Sequence, residues 1–483
     1  MALRMTTSSK SVRTAARGVA LFLLLAAILV TTLARLRGPE PHVAPDALGI
    51  IHSLLAENVP HPVESAANRV VRDRIIAHFS ALGFRPVVQR ARACSKRWGR
   101  CANVENIVVL PDRAADIVLG VAHYDSTPNG PGASDDAVGV AAMLECANLL
   151  RNVQTRNPIG FLITDGEEAG LLGAEAFVAD PVLSRNVRAV VNVEDRGTAG
   201  PSYLFETSKN NRDLVPLFNR LSKTVTTSVF YTVYTLLPND TDVTVFKRAG
   251  KICVNFAAIG GVENYHRATD DLAHVDKRTL EHHIENALGM LRALGDADLG
   301  AMRRGDAVFF DVFGYHVFWW PASWTIWFAI ATLVVLVVLM RGIAGRDIAM
   351  TLLRFLGAIV IAAIIGVIAM KLTPHRVAHP ELLIAAMWLA GIVSSLILLR
   401  GKPWQGRALL WTIIAIALAL TLPGLSFLFL VPAIAMLIPG RPFIGAAAAA
   451  ILFFPLGLVL YTALGGLALP VVAVLLTFVA SAF

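Results

Sequence analysis

Between Pro41 and about Asp311 the hydrophobic pattern alternates between two periods. Residues 64–82 (ESAANRVVRDRIIAHFSAL) space their apolar positions three and four apart and predict an amphipathic helix. Short apolar runs rich in β-branched residues at 105–110, 116–122, 159–163, 188–193 and 252–256 predict strands. Helical stretches follow at 137–151, 168–178, 211–223 and 277–294. This alternation predicts an α/β layer fold, a mixed central sheet flanked by helices.

From Phe318 onward the pattern changes to nearly continuous apolar sequence, broken only at charged or Pro/Gly positions. Spans are expected near 318–340, 350–370, 381–399, 407–422, 425–438, 443–463 and 466–482, each near the ~20 residues a bilayer requires. An earlier apolar run, 19–34, is preceded by Arg4, Lys10, Arg13 and Arg17 and followed directly by Arg35 and Arg37. That pattern reads as an uncleaved anchor rather than a signal peptide. The expected division is a tail and anchor at 1–38, an exported domain at 39–315 and an all-α membrane domain of about seven spans at 316–483.

Charge supports this division. The chain carries 43 basic and 35 acidic residues, yet residues 39–340 hold 28 basic against 33 acidic. The excess of basic residues therefore flanks apolar segments, which argues for a lipid bilayer partner and against nucleic acid. By the positive-inside rule the amino terminus lies inside and the middle domain outside, on the periplasmic or lumenal side. Of the four cysteines, Cys94 and Cys101 bracket a polar loop and are expected to form a small disulfide, whereas Cys146 and Cys253 fall in core-patterned segments.

Candidate metal ligands lie just past the carboxyl ends of the expected strands. His123 and Asp125 follow VLGVA, Glu167 and Glu168 follow GFLITD, Glu194 and Asp195 follow AVVNV, and His266 lies in the loop after ICVNF. Ligands in open α/β sheets bind at that edge. His123 and Asp125 are alternate residues able to face one way, and the Asp can fix the imidazole tautomer. In the Asp135–Asp136 pair, one residue is expected to cap the following helix while Asp135 reaches inward. Two adjacent glutamates could merely favour a helix dipole, but two carboxylates aimed into one site repel and call for cations. A metal hydrolase needs one carboxylate as ligand and another, unligated, as general base, roles that Glu168 and Glu167 can fill. His123, Asp135, Glu168, Glu194 and His266 make a mixed N/O set suited to zinc. Asp195 remains an alternative to Glu194.

The strings HYDSTPNGPGASDDAVG, DGEEAGLLGAEAF, NVEDRGTAG and YHRATDD resemble the co-catalytic di-zinc aminopeptidase family, which includes leucyl aminopeptidases and glutamate carboxypeptidase II. The layout is similar to its membrane-bound branch, vacuolar membrane protease and endoplasmic reticulum metallopeptidase. The resemblance implies a zinc-exopeptidase-like sandwich and two zinc ions per chain. By motif, His123 and Glu194 bind one ion, Glu168 and His266 the other, and Asp135 bridges them. Glu167 is then the base and Asp125 the group orienting His123. A cis peptide is implied between Asp135 and Asp136. Arg267, after His266, departs from the commoner YHT form.

The function expected is hydrolysis of peptide substrates by a zinc metallopeptidase, as an aminopeptidase. The alternatives are a carboxypeptidase or dipeptidase with the same site, or an inactive receptor or scaffold that keeps the fold. A panel of free and blocked peptides separates the first two, and the intact ligand set with Glu167 argues against the third. Tyr231, Tyr234 and Tyr265 are candidate pocket residues. A transporter reading of the membrane half is disfavoured, because its spans hold few ionisable residues, Arg354 among them.

Overall fold

The computed structural model describes residues 24, 26–28, 30–34, 47–112, 116–236, 239–302, 305–372, 403–438, 443–464 and 468–481. It divides into two compact units, Arg35–Ala322 on the one hand and Met1–Ala34 with Ser323–Phe483 on the other.

The first unit is built on an eight-stranded sheet in the order β1-β2-β4-β3-β5-β8-β6-β7. Its centre is four parallel strands: β3 (Ile117–His123), β4 (Ile159–Thr164), β5 (Val187–Val193) and β8 (Ile252–Ala257). These are the four strands whose apolar runs are continuous, as expected of strands covered on both faces. Alternate residues divide between two cores. Val118, Ala122, Val191 and Val254 pack into one with the helices α1 (Ala47–Leu54), α2 (Ala66–Ala81), α3 (Ala137–Leu150) and α7 (Lys277–Gly295). Leu119, Val121, Val190 and Cys253 pack into the other, with α4 (Leu172–Ala179) and α6 (Asp242–Arg248). Gly120 allows α3 to pass close to the sheet, since a Cβ there would lie 2.8 Å from Met143 Sδ and 3.1 Å from the Phe161 ring.

The outer strands are antiparallel to their inner neighbours or short. The hairpin of β1 (Val87–Ser95) and β2 (Arg100–Val109) is closed at its tip by a Cys94–Cys101 disulfide, and Cys146 and Cys253 are buried free thiols. On the other side β6 (Tyr203–Thr207) runs antiparallel to β8 and carries the two-residue β7 (Val225–Thr226). A separate hairpin, β9 (Ala307–Val312) and β10 (His316–Pro321), follows α7.

Three expectations need correction. Residues 211–223 form short 3₁₀ turns, Asn211–Asp213 and Val215–Arg220, rather than an α-helix, with Pro216 near the start of the second. The stretch 168–178 becomes helical only at Leu172, because the carbonyl of Glu167 accepts the N–H groups of Gly170 and Leu171 in a turn. The first apolar span does not begin at Phe318, since residues through Pro321 are in β10.

In the second unit, among the described residues, four helices are long and apolar enough to cross a membrane: Ala322–Leu339, Gly345–Leu372, Trp404–Thr421 and Ile444–Thr462. Pro423–Met436 and Leu469–Val479 are shorter apolar helices. Trp411 is buried among Phe429, Phe453 and Phe478 and donates its indole N–H to Ser481 Oγ at 3.1 Å. The span expected at 381–399 lies outside the described residues. Of the anchor at 19–34, residues 24, 26–28 and 30–34 are helical and the others lie outside.

Candidate metal centre

Four loops leave the carboxyl ends of β3, β4, β5 and β8 and converge. His123 is the last residue of β3, and Glu194 follows β5 directly. Glu167 and Glu168 lie in the loop after β4, and His266 in the loop after β8. The five sequence-derived ligand positions form two clusters, His123–Asp135–Glu194 and Asp135–Glu168–His266, with the ligand atoms of each within 4.8 Å of one another. Asp135 belongs to both. Its Oδ1 lies 3.1 Å from His123 Nε2 and its Oδ2 3.2 Å from His266 Nε2. Glu194 Oε1 is 3.3 Å from His123 Nε2, and Glu168 Oε1 is 3.1 Å from His266 Nε2.

The loop carrying Asp135 is held by hydrogen bonds on both sides. The N–H groups of Ser134 and Asp135 donate to the two carboxylate oxygens of Asp270 at 2.8 and 3.2 Å, and the Asp270 carbonyl accepts from Ala133 N–H at 3.1 Å. Gly130 lets this loop cross the His266 loop, since a Cβ there would fall 2.2 Å from the Arg267 carbonyl oxygen. The Arg267 side chain is exposed. Asp136 caps α3 by accepting from Gly139 N–H at 3.0 Å, while its other oxygen accepts from His123 N–H at 3.1 Å. The peptide between Asp135 and Asp136 is cis.

Asp125 lies beside His123, as the motif implied, and also holds the neighbouring loop. Its carboxylate accepts the backbone N–H groups of Glu167 at 2.9 Å and Glu168 at 3.2 Å. The His123 Nδ1 atom is 3.0 Å from the Asp125 carbonyl but 3.6 Å from the carboxylate. Asp125 therefore fixes the paired-glutamate loop directly and meets the imidazole through its backbone. The same loop is held from behind by Asp165, whose oxygens accept from Asn68 Nδ2 at 3.1 Å and Glu105 N–H at 2.9 Å.

Asp195 belongs to neither cluster. It accepts from Ala258 N–H at 2.5 Å and lies 3.1 Å from His283 Nε2, whose Nδ1 is 2.9 Å from Ser202 Oγ. This resolves the Glu194/Asp195 alternative in favour of Glu194 as the residue facing the clusters. Tyr265 stacks on the His266 ring, with centroids 3.7 Å apart. Tyr234 packs edge-on against Phe205, and its buried hydroxyl has no hydrogen-bond partner among the described residues. Tyr231 is half-buried.

The donor set fits metal ions. Glu168 Oε1 and His266 Nε2 are buried and, although 3.1 Å apart, form no hydrogen bond with one another or with other described groups. With Asp135 they form a cluster of donor atoms within 4.8 Å of one another, close enough to share one ion. The electrostatics agree. Burial drives the Glu194 carboxyl up to about 8, against the attraction of His123. Burial and the charge of Asp135 drive Glu168 up to about 7. Burial opposes a charge on His123, but Glu194, Asp125 and Asp135 outweigh it and raise its pKa. Burial likewise opposes a charge on His266, but Asp135 and Glu168 raise it to about 10. On its own charges the site must take up protons to relieve carboxylate repulsion, and bound cations do the same.

Residues 106–291 match the model of Peptidase family M28. The match takes in β3, β4, β5 and β8 and the loops that carry all five clustered residues. Endoplasmic reticulum metallopeptidase 1 of Homo sapiens is 31% identical over 235 residues, 46% of this chain and 26% of that protein. Vacuolar membrane protease of Yarrowia lipolytica is 30% identical over 208 residues, 42% of this chain and 21% of that protein. The chain thus spans about a quarter of the length of these curated relatives. Among solved structures, the glutaminyl cyclase of Fimbriiglobus ruber superposes with a TM-score of 0.42 at 18% identity, covering 53% of this chain and 99% of that one. Within the α/β unit, sequence reading missed Asp270, Asn68 and His283 as supports. Only Asp270 lay in a quoted motif, as the last residue but one of DD in the string YHRATDD.

The Asp270 clamp is testable. Asp270→Asn replaces an acceptor of two N–H groups by an amide that can accept only on one side. The turn that presents Asp135 should loosen, and zinc should be lost to a competing chelator faster than from the wild type. Equal loss rates would show that the clamp does not hold the ligand.

Proposed function

We propose that this chain is a membrane-anchored zinc metallopeptidase that removes amino-terminal residues from peptides. The observation that carries this reading is the pair of buried clusters sharing Asp135, with the carboxylate of Glu167 outside both. His123 and Glu194 would hold one ion, Glu168 and His266 the other, and Asp135 both. Bound there, zinc supplies Lewis acidity toward a peptide carbonyl and toward water.

The remaining chemistry belongs to the protein. Glu167 takes the proton of the attacking water and returns it to the leaving amine. Asp125 keeps Glu167 and Glu168 in register through their backbone N–H groups, so the base and its neighbouring ligand move together. A free α-ammonium is a favourable partner for a carboxylate-lined site, and the mild acidic excess of residues 39–340 favours approach of a cationic terminus. We assign the domain to the extracytoplasmic side. The basic residues before the anchor run and the Cys94–Cys101 disulfide support that side.

Glu167→Gln should retain the metal and lower turnover roughly 10²–10⁴-fold, because it removes the proton acceptor alone. Retained metal with near wild-type turnover removes Glu167 from the chemistry. A free-amine aminoacyl reporter should be hydrolysed and its acetylated twin scarcely so, since acetylation removes the charge that the site reads. Equal rates for both would overturn the aminopeptidase assignment. Loss of cleavage on amidating the carboxyl end would point instead to a carboxypeptidase.

A further inference from the structure

The β9–β10 hairpin displays large aromatic side chains to the outside. Tyr315 is 85% exposed, Phe318 49% and Trp319 37%. Phe318 is not a loose side chain, since it stacks on Phe310 at 5.8 Å and meets His316 edge-on at 4.8 Å. Trp320 packs edge-on against the same Phe310 ring at 6.2 Å.

The hairpin is fixed rigidly to its own unit. Ser228 Oγ donates to the Phe309 carbonyl at 3.1 Å and accepts from Phe309 N–H at 3.3 Å. The Asn219 amide exchanges two hydrogen bonds with the backbone of Val317, at 3.0 and 2.7 Å. Asp311, the single acid within the two strands, has both oxygens occupied, by Thr226 N–H at 3.0 Å and Gly314 N–H at 2.7 Å. Its charge is thus turned to backbone donors, and the outward surface is left to Tyr315 at the turn and to His316 and Phe318, while Trp319, paired with the buried Phe309, flanks it from the other face.

Holding aromatic area in water costs free energy unless something covers it. The chain itself indicates what does. Pro321, the last residue of β10, directly precedes the apolar helix Ala322–Leu339, so no linker separates the hairpin from the first residue of a candidate span. Aromatic rings with polar tips concentrate where hydrocarbon gives way to headgroups.

We propose that the outer surface of the β9–β10 hairpin is a lipid-docking surface, seated in the interfacial layer of the bilayer. The rigid hairpin then gives the peptidase domain a contact with the membrane beyond its covalent tether.

The test is a single accessible cysteine in the full chain, reconstituted in phosphatidylcholine vesicles. Cys146 and Cys253 are buried and Cys94 is bridged to Cys101, so an added thiol is the one a bimane label reaches. Phe318→Cys carries the probe, and Tyr315→Cys serves if that variant fails to fold. Val182→Cys, at a position 75% exposed on the helix Pro181–Ser184, is the aqueous reference. The expected result is blue-shifted emission at the hairpin, quenched by bromine-carrying lipids and spared by aqueous iodide, with the reverse at Val182. Iodide quenching at the hairpin would overturn the proposal. So would protection from both quenchers, which would mean that protein covers the surface instead, either another part of this chain or a second copy.

Discussion

Four acidic side chains, Asp135, Glu167, Glu168 and Glu194, crowd one end of the sheet, and their mutual repulsion is the constraint around which the α/β unit is organised. Burial pushes the carboxyls of Glu168 and Glu194 up to about 7 and 8, and the nearby charge of Asp135 adds to it. Two imidazoles relieve part of this, and the shared carboxylate of Asp135 stays ionised because His123 and His266 flank it, despite its burial. The backbone donors around the site serve the same end. Asp125 takes the N–H groups of Glu167 and Glu168, Asp136 that of His123, and Asp270 that of Asp135. His123, Asp135 and Glu168 are thereby positioned through their backbone N–H groups by further carboxylates, an arrangement that metal centres use to fix their first ligands.

The part of this that was readable from sequence is the part governed by local pattern. β3, β4, β5 and β8 are buried on both faces, so they read as apolar runs, and their ends located nearly every candidate ligand, Asp135 at the start of a helix being the exception. The edge strand β1 has the exposed Arg90 and Arg92 and the half-buried Gln89 among its apolar positions and gave no such run. In β6 a buried Glu206, paired with Lys247, disguised a core strand as a polar one. The 3₁₀ turns at 211–220 passed for a helix because their apolar spacing is helical, whereas their hydrogen bonding is not. The contacts of Asp125 with the N–H groups of Glu167 and Glu168, 42 and 43 residues away, were not readable beside its expected partner His123. Asn68 and His283 were invisible as supports because their partners lie 97 and 88 residues away in the chain.

The membrane half follows a different logic. Its helices are apolar all round, with residues such as Val334, Leu353, Val360 and Ile364 exposed along them, which suits lipid rather than water. The β9–β10 hairpin stands where the two logics meet in sequence: a strand pair stitched to the α/β domain by Ser228 and Asn219, ending on the residue before an apolar helix. An aromatic surface at that point is intelligible in terms of headgroup chemistry, whereas on a freely soluble domain it would be a liability.

The central claim is that one carboxylate, Asp135, organises two metal positions at once. Elemental analysis of zinc in the purified full chain, wild type against Asp135→Ala, tests it most directly. The account predicts two zinc ions per wild-type chain and loss of both together in the variant, since each cluster gives up the ligand they share. A variant that keeps one ion as tightly as the wild type does would contradict it, and so would a wild-type chain that cannot be loaded beyond a single equivalent.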